Sequence, residues 1–386
     1  MRVLTVIDAL RLGGAETLVA QLARVSAAAD LDVTVLSLHG FSAEHSKLAP
    51  LLQESGVEPA YLGVRRTLDV PAFLRLARLI RDTRPDIVHA HLEMAMTMAL
   101  PAAALSGTPA VGTFHHMHRP LSGRARGRER LAVEVATRSN AAIFVSRASL
   151  DSFADGYRPG KPVPASWKVV HNGVDLDYFS LPASGTPARF PADLGLDGGP
   201  VVTVVAALRR LKGIHHAVDA WPAVLARFPA ARLLLVGAGT EEPSLRAQVA
   251  ALSLGKAVVF AGMRSDIPAI LRASDVVLLP SVYSENLPTV LMEAGGVGRP
   301  VVASDIGGVG DIVVDGKTGL LVPPGDSAAI AHALTSLLGN PALGEEMGAA
   351  GRERMERLFD ARLWARSLRT VYEEAIAARA RAGRAG

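Results

Sequence analysis

The sequence predicts an α/β protein with two doubly wound parallel-sheet domains. The chain of 386 residues is too long for one ordinary hydrophobic core. Short β-branched runs alternate with amphipathic segments, which is the pattern of parallel strands covered by helices on both faces. That alternation stops once, in a stretch rich in proline, glycine and alanine, and then starts again. The interruption divides the chain into two halves of similar architecture.

The first half supplies five predicted strands and the helices between them. The strand segments are, in order, RVLTVID, DVTVLSL, DIVHAH, AVGTFHH and AAIFVSR. Helices are expected from about Ala15, near residues 70–81, and in the remaining intervals. We assign residues 1–180 to an N-terminal domain.

The second half repeats the pattern after the linker LPASGTPARFPADLGLDGGP, residues 181–200. Its predicted strands are, in order, PVVTVVAAL, ARLLLVGAG, AVVFAG, DVVLLPS, PVVASD and TGLLVPP. We assign residues 181–360 to a C-terminal domain and residues 361–386 to a final helix that packs back on the N-terminal domain, with a frayed tail.

Composition excludes several classes of protein. Without cysteine the chain has no disulfides and no thiolate nucleophile. Asp8 and Arg11 interrupt the apolar start too early for a signal peptide. The longest apolar tract, Met94 to Phe114, contains two prolines and two glycines, so no spanning helix is expected there. We therefore expect a soluble, cytoplasmic protein, with the inner face of the membrane as an alternative location.

The net charge of +4 is modest for this length, but its distribution is uneven. No acidic residue occurs from residue 94 to 128, and this interval holds His115, His116, His118, Arg119, Arg124, Arg126 and Arg128. A solvated basic face is one interpretation, and a patch that meets an acidic membrane or an anionic substrate is the other. Basic and aromatic residues do not interleave as in nucleic-acid modules, so no nucleic-acid partner is expected.

In parallel sheets ligands bind beyond the carboxyl ends of the strands, so the loops after each strand hold the candidate residues. RLGGAET follows the first strand, and Gly13 and Gly14 would let a backbone approach an anion at a helix amino end. A tight strand-to-helix turn is the alternative. The segment is not the GxGxxG fingerprint, which argues against a dehydrogenase.

The matching loop of the second half carries three cations. Arg209, Arg210 and Lys212 follow the strand PVVTVVAAL, and Gly213 permits a turn. Phosphate is the natural partner of such a group, and solvated side chains are the alternative.

The segment SENLPTVLMEAGG, residues 284–296, follows a buried strand and begins a helix at Pro288. The amides of Thr289 and Val290 would then be free to bind a diphosphate. Glu285 is expected to project from the loop and Glu293 to lie about one turn inside the helix. Carboxylates suit the vicinal hydroxyls of a ribose or hexose, although Glu293 is also an ordinary helix former.

Several short strings together resemble one enzyme family. They are LGGAE, PDIVHAH, HNGVD, KG at 212–213, RSDIPAILRASDVVLLPS, the E-x7-E of Glu285 and Glu293, and GKTGLLVPPGD. In combination, over nearly the whole chain, they are similar to the retaining glycosyltransferases of family four, the glycosyl transferases group 1. That resemblance implies the GT-B fold, in which two Rossmann-like domains face a cleft. It also implies that the N-terminal domain binds the acceptor and the C-terminal domain the nucleotide sugar.

The resemblance also implies residue roles. Glu293 would bind the donor ribose, Glu285 the transferred sugar, and Lys212 the diphosphate, while His115 would lie near the anomeric carbon. The expected donor-binding residues are Gly13, Gly14, Arg209, Lys212, Glu285, Asn286, Leu287, Thr289, Val290 and Glu293; the catalytic ones are His115, Lys212 and Glu285; the acceptor-binding ones are His116 and Arg119. The family usually has an arginine where this chain has Ala207, and Arg209 or Arg210 would substitute for it.

The predicted function is transfer of a hexosyl group, with retention, from a UDP- or GDP-linked sugar to a hydroxyl of an alcohol, glycan, lipid or natural product. No cofactor and no metal ion are expected, because the cations of residues 209–212 would stabilise the leaving diphosphate. A sugar-nucleotide epimerase or phosphorylase of the same fold is one alternative. A non-catalytic binding subunit is another, for which the altered position 207 is the only indication.

Overall fold

The computed structural model of the protein describes most of the chain as two compact α/β units. The first unit is Met1–Gly173 with Ala361–Gly386, and the second is Val174–Asp360. The described residues are 1–11, 13–65, 69–180, 189–196 and 198–385, with the backbone alone for 382–385. Residues 181–188 of the expected linker, together with Leu12 of the first glycine loop, lie outside the described part.

The described part of the first unit contains a seven-stranded parallel sheet. Its strands are β1 (Arg2–Ile7), β2 (Asp32–Ser37), β3 (Ala60–Tyr61), β4 (Ile87–His91), β5 (Ala110–Phe114), β6 (Ala141–Phe144) and β7 (Trp167–Val169). They lie in the order β3-β2-β1-β4-β5-β6-β7. The order reverses at β1, which pairs with both β2 and β4. Such a reversal leaves a crevice at the carboxyl end of the sheet.

Helices cover both faces of this sheet. They are α1 (Gly14–Val25), α2 (Ala49–Glu54), α3 (Val70–Thr83), α4 (Glu93–Leu105), α5 (Gly123–Arg138), α6 (Arg147–Tyr157) and α14 (Ala361–Ala385). The last helix packs against α1, and its Trp364, Leu368 and Tyr372 belong to the same core as Leu18 and Leu22. The final segment of the chain therefore completes the core of the first unit.

The second unit repeats the arrangement with six strands in the residues described. They are β8 (Val201–Val205), β9 (Arg232–Val236), β10 (Val258–Gly262), β11 (Val276–Leu279), β12 (Val301–Ser304) and β13 (Gly319–Val322). The order β10-β9-β8-β11-β12-β13 places β11 between β8 and β12. The helices are α7 (Ile214–Arg227), α8 (Glu242–Ala251), α9 (Ile267–Ala273), α10 (Thr289–Gly296), α11 (Val309–Ile312), α12 (Ser327–Gly339) and α13 (Pro341–Leu358).

Every strand segment predicted from the sequence contains a strand of the structure. The structure adds β3 and β7, which the sequence analysis did not predict. These strands have two and three residues, too few to show an alternating pattern, and pairing with β2 and β6 defines them.

The apolar tract from Met94 is a core helix followed by a strand. Helix α4 contains Pro101 and seven buried residues, and β5 follows it after a short turn. Among the helices of the described chain, none is long and apolar enough to cross a bilayer.

Candidate active site

Strand order brings three loops together at the carboxyl end of the second sheet. Because β11 pairs with β8 and β12, the loop that follows β11 lies between the loops that follow its neighbours. The Val282 amide donates to the Leu211 carbonyl at 2.9 Å, and the Gly308 amide donates to the Glu285 carbonyl at 3.0 Å. The backbone around Glu285 is thus held from both sides.

Glu285 is buried in an ion pair. Its residue is 5% exposed, and its Oε1 accepts hydrogen bonds from Lys212 Nζ and from Ser281 Oγ, each at 2.5 Å. The sequence analysis expected this side chain to project from the loop, and the structure shows it turned towards Lys212, the cation that the neighbouring β8 loop supplies. Lys212 and Glu285 therefore act as a pair, and Ser281, which the sequence analysis did not select, fixes the carboxylate.

The loop reaches Glu285 through a left-handed residue. Ser284 has φ of 56°, a conformation that costs a non-glycine residue roughly 1–2 kcal/mol. Ser284 is exposed, so burial of its own side chain does not explain the conformation. The backbone hydrogen bonds on either side hold it, and the turn directs the Glu285 side chain into the unit.

Helix α10 starts one residue later than predicted. Pro288 is the residue before the first helical position, with φ of −68° and ψ of 115°, and Thr289 begins the helix. The amides of Thr289 and Val290 therefore belong to the first turn. The N–H groups of a first turn have no carbonyl acceptors within the helix. Of the two neighbouring predicted residues, Leu287 has a buried side chain and Asn286 is half-buried.

Glu293 lies in the second turn of α10, among buried residues. Burial raises the pKa of its carboxyl to about 7, although a hydrogen bond from the Thr289 hydroxyl acts in the opposite direction. A carboxyl with this pKa exists in both protonation states near neutrality. It can therefore accept a hydrogen bond from a ligand hydroxyl or donate one to it.

The remaining cations of the β8 loop are exposed. Arg209, Arg210 and Ala207 are all exposed to solvent. Packing against the interior therefore does not fix the position of either arginine side chain. The turn Arg210–Lys212 ends at Gly213, whose φ is 62°. A Cβ at Gly213 would lie 2.0 Å from the Pro280 carbonyl oxygen, so only glycine allows the β8 and β11 loops to approach so closely.

The glycine loop of the first unit differs from the prediction. Gly13 precedes the first residue of α1, but the carboxylate of Glu16 folds over it, 2.4 Å from where a Gly13 Cβ would stand. Burial raises the pKa of Glu16, and a bond from its own amide opposes that change. This helix end, which includes Gly14, therefore already holds an anionic group of the protein.

His115 follows β5 and pairs with a second histidine. Its Nε2 lies 2.8 Å from Nδ1 of His91, the last residue of β4. Behind them, the His89 ring bonds to Tyr372 Oη and to Thr113 Oγ1, each at 2.7 Å. Burial lowers the pKa of His115 to about 3 and holds that of His91 well below its usual range, so both rings are neutral near pH 7.

Two neutral rings that share a hydrogen bond have complementary free atoms. The ring that donates the shared hydrogen bond has its second nitrogen unprotonated, so that nitrogen can accept. The ring that accepts the bond has its N–H on its second nitrogen, so that nitrogen can donate. Within the described residues, His91 Nε2 and His115 Nδ1 are buried without a partner. The pair thus has one donor and one acceptor available for neutral groups such as sugar hydroxyls.

His116 belongs to a different network. Its Nε2 lies 3.0 Å from Oε1 of Glu129, whose Oε2 accepts from Tyr157 Oη and pairs with His118 Nδ1, both at 2.6 Å. Burial raises the pKa of Glu129, but these three hydrogen bonds hold it below its ordinary value. The sequence analysis missed Glu129, whose only signal is a lone acid in the Arg-rich start of α5.

The four arginines of the basic interval are exposed. Arg119 precedes α5, and Arg124, Arg126 and Arg128 lie on it. Exposure agrees with both interpretations made from the sequence. Of the two expected acceptor residues, His116 has its Nε2 3.6 Å from Glu93 Oε1. Burial raises the pKa of the Glu93 carboxyl, and the positive charge of Arg119 acts in the opposite direction.

Two Asp-x-Asp triplets, which metal-dependent sites often use, occur in the sequence. Asp30 and Asp32 lie at the start of β2, where Arg369 bonds to Asp30. Asp175 accepts from the amides of Asp177 and Tyr178 and so closes a local turn. Both triplets have structural contacts of their own. The expectation of a metal-free site also assumed that the sequence has no such triplet, and that assumption is wrong.

Comparison with known proteins places both halves of the chain in one family. The model for glycosyl transferases group 1 matches residues 188–354, and that for glycosyltransferase family 4 matches residues 12–178. A glycogen synthase of Mycobacterium tuberculosis is 32% identical over 78% of this chain and 72% of its own. A phosphatidyl-myo-inositol mannosyltransferase of Mycobacterium leprae is 30% identical over 94% of this chain and 93% of its own.

Solved structures show the same fold. The crystal structure of Anabaena Alr3699/HepE in complex with UDP superposes with a TM-score of 0.84, at 24% identity, over 97% of this chain and 100% of that one. A sucrose-phosphate synthase of Thermosynechococcus elongatus gives a TM-score of 0.78 at 23% identity, over 98% of this chain and 100% of that one.

Proposed function

Because the chain belongs to the glycosyl transferases group 1 and has their GT-B fold, we propose that it transfers a hexosyl group, with retention, from a nucleotide diphosphate sugar to an acceptor hydroxyl. The observation that carries the proposal is the ion pair between half-buried Lys212 and buried Glu285 at the carboxyl end of the second sheet. Such a pair contains both charges that the reaction needs, a cation for the leaving group and an anion for the sugar.

The leaving group is the nucleoside diphosphate. As the bond from the anomeric carbon to the phosphate oxygen breaks, negative charge develops on the diphosphate. The Lys212 ammonium and the amides of Thr289 and Val290 would stabilise that charge. The exposed side chains of Arg209 and Arg210 reach the diphosphate from solvent. They replace the arginine that the family usually has at the position of Ala207. Gly13 and Gly14 contribute little here, since Glu16 would repel a phosphate.

The sugar gains positive charge as the diphosphate departs. Glu285, fixed by Ser281 and Lys212, meets hydroxyls of the sugar and stabilises that charge. The acceptor oxygen bonds to the anomeric carbon on the face that the diphosphate leaves, and its proton passes to the departing phosphate oxygen. The configuration is thereby retained, and no side chain acts as general base.

Neutral histidines suit the remaining contacts. His115 donates to or accepts from a hydroxyl of the transferred sugar, and its hydrogen bond with His91 fixes the orientation of the ring. The acceptor is a glycan or a lipid, in line with the names of the glycogen synthase and of the phosphatidyl-myo-inositol mannosyltransferase to which this chain is similar. Arg119, three residues after His116, binds it, and an anionic lipid acceptor would place the exposed arginines at a membrane surface. The donor nucleotide is uridine or guanosine diphosphate.

A ligand screen followed by a rate assay tests this proposal. Thermal shifts are measured with UDP, GDP, ADP and dTDP and their sugars, and the best donor is then assayed for transfer and for anomeric configuration by NMR. A stabilising nucleoside diphosphate and an α-linked product from an α-linked donor support it. Turnover that requires inorganic phosphate, or a sugar nucleotide that changes only its configuration, would identify a phosphorylase or an epimerase instead.

Chelation tests whether transfer needs a metal ion. We propose that Lys212 and the end of α10 do the work of a donor-bound cation, so initial rates at 25 °C should persist in EDTA. Loss of turnover that magnesium or manganese restores contradicts this assignment.

A further inference from the structure

Three side chains of the first unit converge from different elements. Glu93 is the first residue of α4, His116 follows β5, and Glu129 lies on α5. His116 Nε2 lies 3.0 Å from Glu129 Oε1 and 3.6 Å from Glu93 Oε1. One ligand-type atom of each residue lies within 4.8 Å of the other two.

We propose that Glu93, His116 and Glu129 form a binding site for a divalent transition metal ion of the zinc class. Atoms that bind zinc at about 2.0–2.2 Å in tetrahedral geometry are separated by about 3.3–3.6 Å from one another. The two distances from His116 bracket that separation. A water molecule would complete the coordination, since three protein ligands leave one position open.

Outer hydrogen bonds orient the innermost ligand. Glu129 is 1% exposed, and its Oε2 is occupied by His118 and Tyr157, so Oε1 is the atom directed at His116 and the site. Metal-binding carboxylates commonly have such partners, which fix their direction and raise affinity. His118 is itself packed against Gly156, where a Cβ would stand 2.2 Å from its ring, so the arrangement is rigid.

The donor set and its surroundings select the kind of metal. An imidazole with two carboxylates suits zinc, cobalt or manganese better than magnesium, which prefers oxygen ligands alone. Arg119 and Arg128 act on the Glu93 charge and oppose a cation that is held by charge attraction only. A coordinate bond from the His116 nitrogen would offset the repulsion by these arginines. Metal binding at this site therefore does not require a strongly negative surface.

Such an ion would tie the segment after β5 to two helices. His116 adjoins His115, so the metal would hold in place the backbone that carries this residue. All three residues belong to the first unit, and the existence of the site does not depend on the proposed transferase chemistry.

Binding measurements on the full chain test the site. Protein treated with a chelator and then dialysed is titrated with Co²⁺ and Zn²⁺, by calorimetry and visible absorption. We expect one equivalent of Co²⁺ with d–d bands of four- or five-coordinate geometry, displacement of these bands by Zn²⁺, and a higher Tm with either ion.

Matched variants locate the site. Glu93→Gln removes the most exposed carboxylate and leaves the hydrogen bonds of Glu129 to His118 and Tyr157 in place, so the protein should fold. It should weaken Co²⁺ binding at least tenfold, and His116→Gln should do the same. Glu134→Gln, an exposed carboxylate on the same helix as Glu129, should change nothing. The proposal is overturned if no saturable binding occurs, or if Glu93→Gln and His116→Gln bind the metal as the unaltered chain does.

Discussion

The carboxyl ends of the two sheets bury polar side chains by opposite means. In the second unit, the buried carboxylate of Glu285 forms an ion pair with half-buried Lys212 at 2.5 Å. In the first, burial keeps His89, His91 and His115 neutral, and they hydrogen-bond to one another or to hydroxyls. A buried charge needs a well-placed partner of opposite charge, because the charge left after loss of that partner is costly to bury. A neutral imidazole ring costs much less to bury. The second site is therefore suited to a charged ligand and the first to hydroxyl groups.

The largest effect is expected from Glu285→Gln. If Glu285 stabilises positive charge on the sugar, turnover should fall about 10²–10³-fold, as when one electrostatic contact to a transition state is lost. Affinity for the free nucleoside diphosphate should change little, because that ligand lacks the sugar. Initial rates and calorimetry measure the two quantities. A loss of diphosphate affinity as large as the loss of turnover would contradict the assignment.

Glu293→Ala should affect binding more than chemistry. The ribose changes little during transfer, so its contacts contribute equally to the ground and transition states. We expect the nucleoside diphosphate to bind more weakly by about 1.5–3 kcal/mol, the range for hydrogen bonds to charged groups. Calorimetry with the diphosphate decides this, with exposed Glu353→Gln as control. Unchanged affinity would remove Glu293 from the nucleotide site.

Glu293 should also make stability depend on pH. Its folded pKa of about 7 lies above its ordinary value of 4.5, so the folded state binds a proton more tightly than the unfolded state does. The contribution of Glu293 to the free energy of unfolding is fully favourable below pH 4.5, and it is lost as the pH rises to about 7. Glu293→Gln should therefore raise the free energy of unfolding at pH 8, on the order of 3 kcal/mol for this shift. Urea unfolding at pH 5 and pH 8 tests it, and equal effects at both pH values would contradict the burial argument.

His115→Ala tests the neutral side of the comparison. The histidine pair offers hydroxyl contacts and no charge, so we expect turnover to fall about tenfold through lost positioning, with the diphosphate affinity unchanged. Steady-state rates and calorimetry are the measurements. A loss of diphosphate affinity would show that His115 meets the leaving group and not the sugar.

The smallest effect is expected at the surface. Replacing Arg119, Arg124, Arg126 and Arg128 with serine should raise the acceptor KM about threefold to tenfold at low salt, because exposed charges act weakly and are screened. Donor affinity should stay the same. Binding to anionic liposomes should weaken if the acceptor is a lipid. If neither quantity changes, these arginines form a solvated face.

Local patterns in the sequence predict the strands and the loops that carry the polar residues. They do not predict which loops are neighbours, because the pairing of β8 with β11 is a property of the sheet. The sequence therefore identified Lys212 and Glu285 as site residues but did not predict the ion pair between them. Glu129 was missed for a related reason. A single acid among arginines looks exposed until folding brings His116, His118 and Tyr157 around it.

The return of α14 to the first unit has a consequence for biosynthesis. A ribosome releases the chain from its amino end, so residues 361–385 emerge after all of the second unit. Trp364, Leu368 and Tyr372 are core residues of the first unit, and Tyr372 holds the His89 ring. The second unit has its whole sequence available earlier and can fold during translation. The first unit waits with an uncovered apolar face on α1 until residues 361–385 have been synthesised, and during that interval this face is open to chaperones and to aggregation.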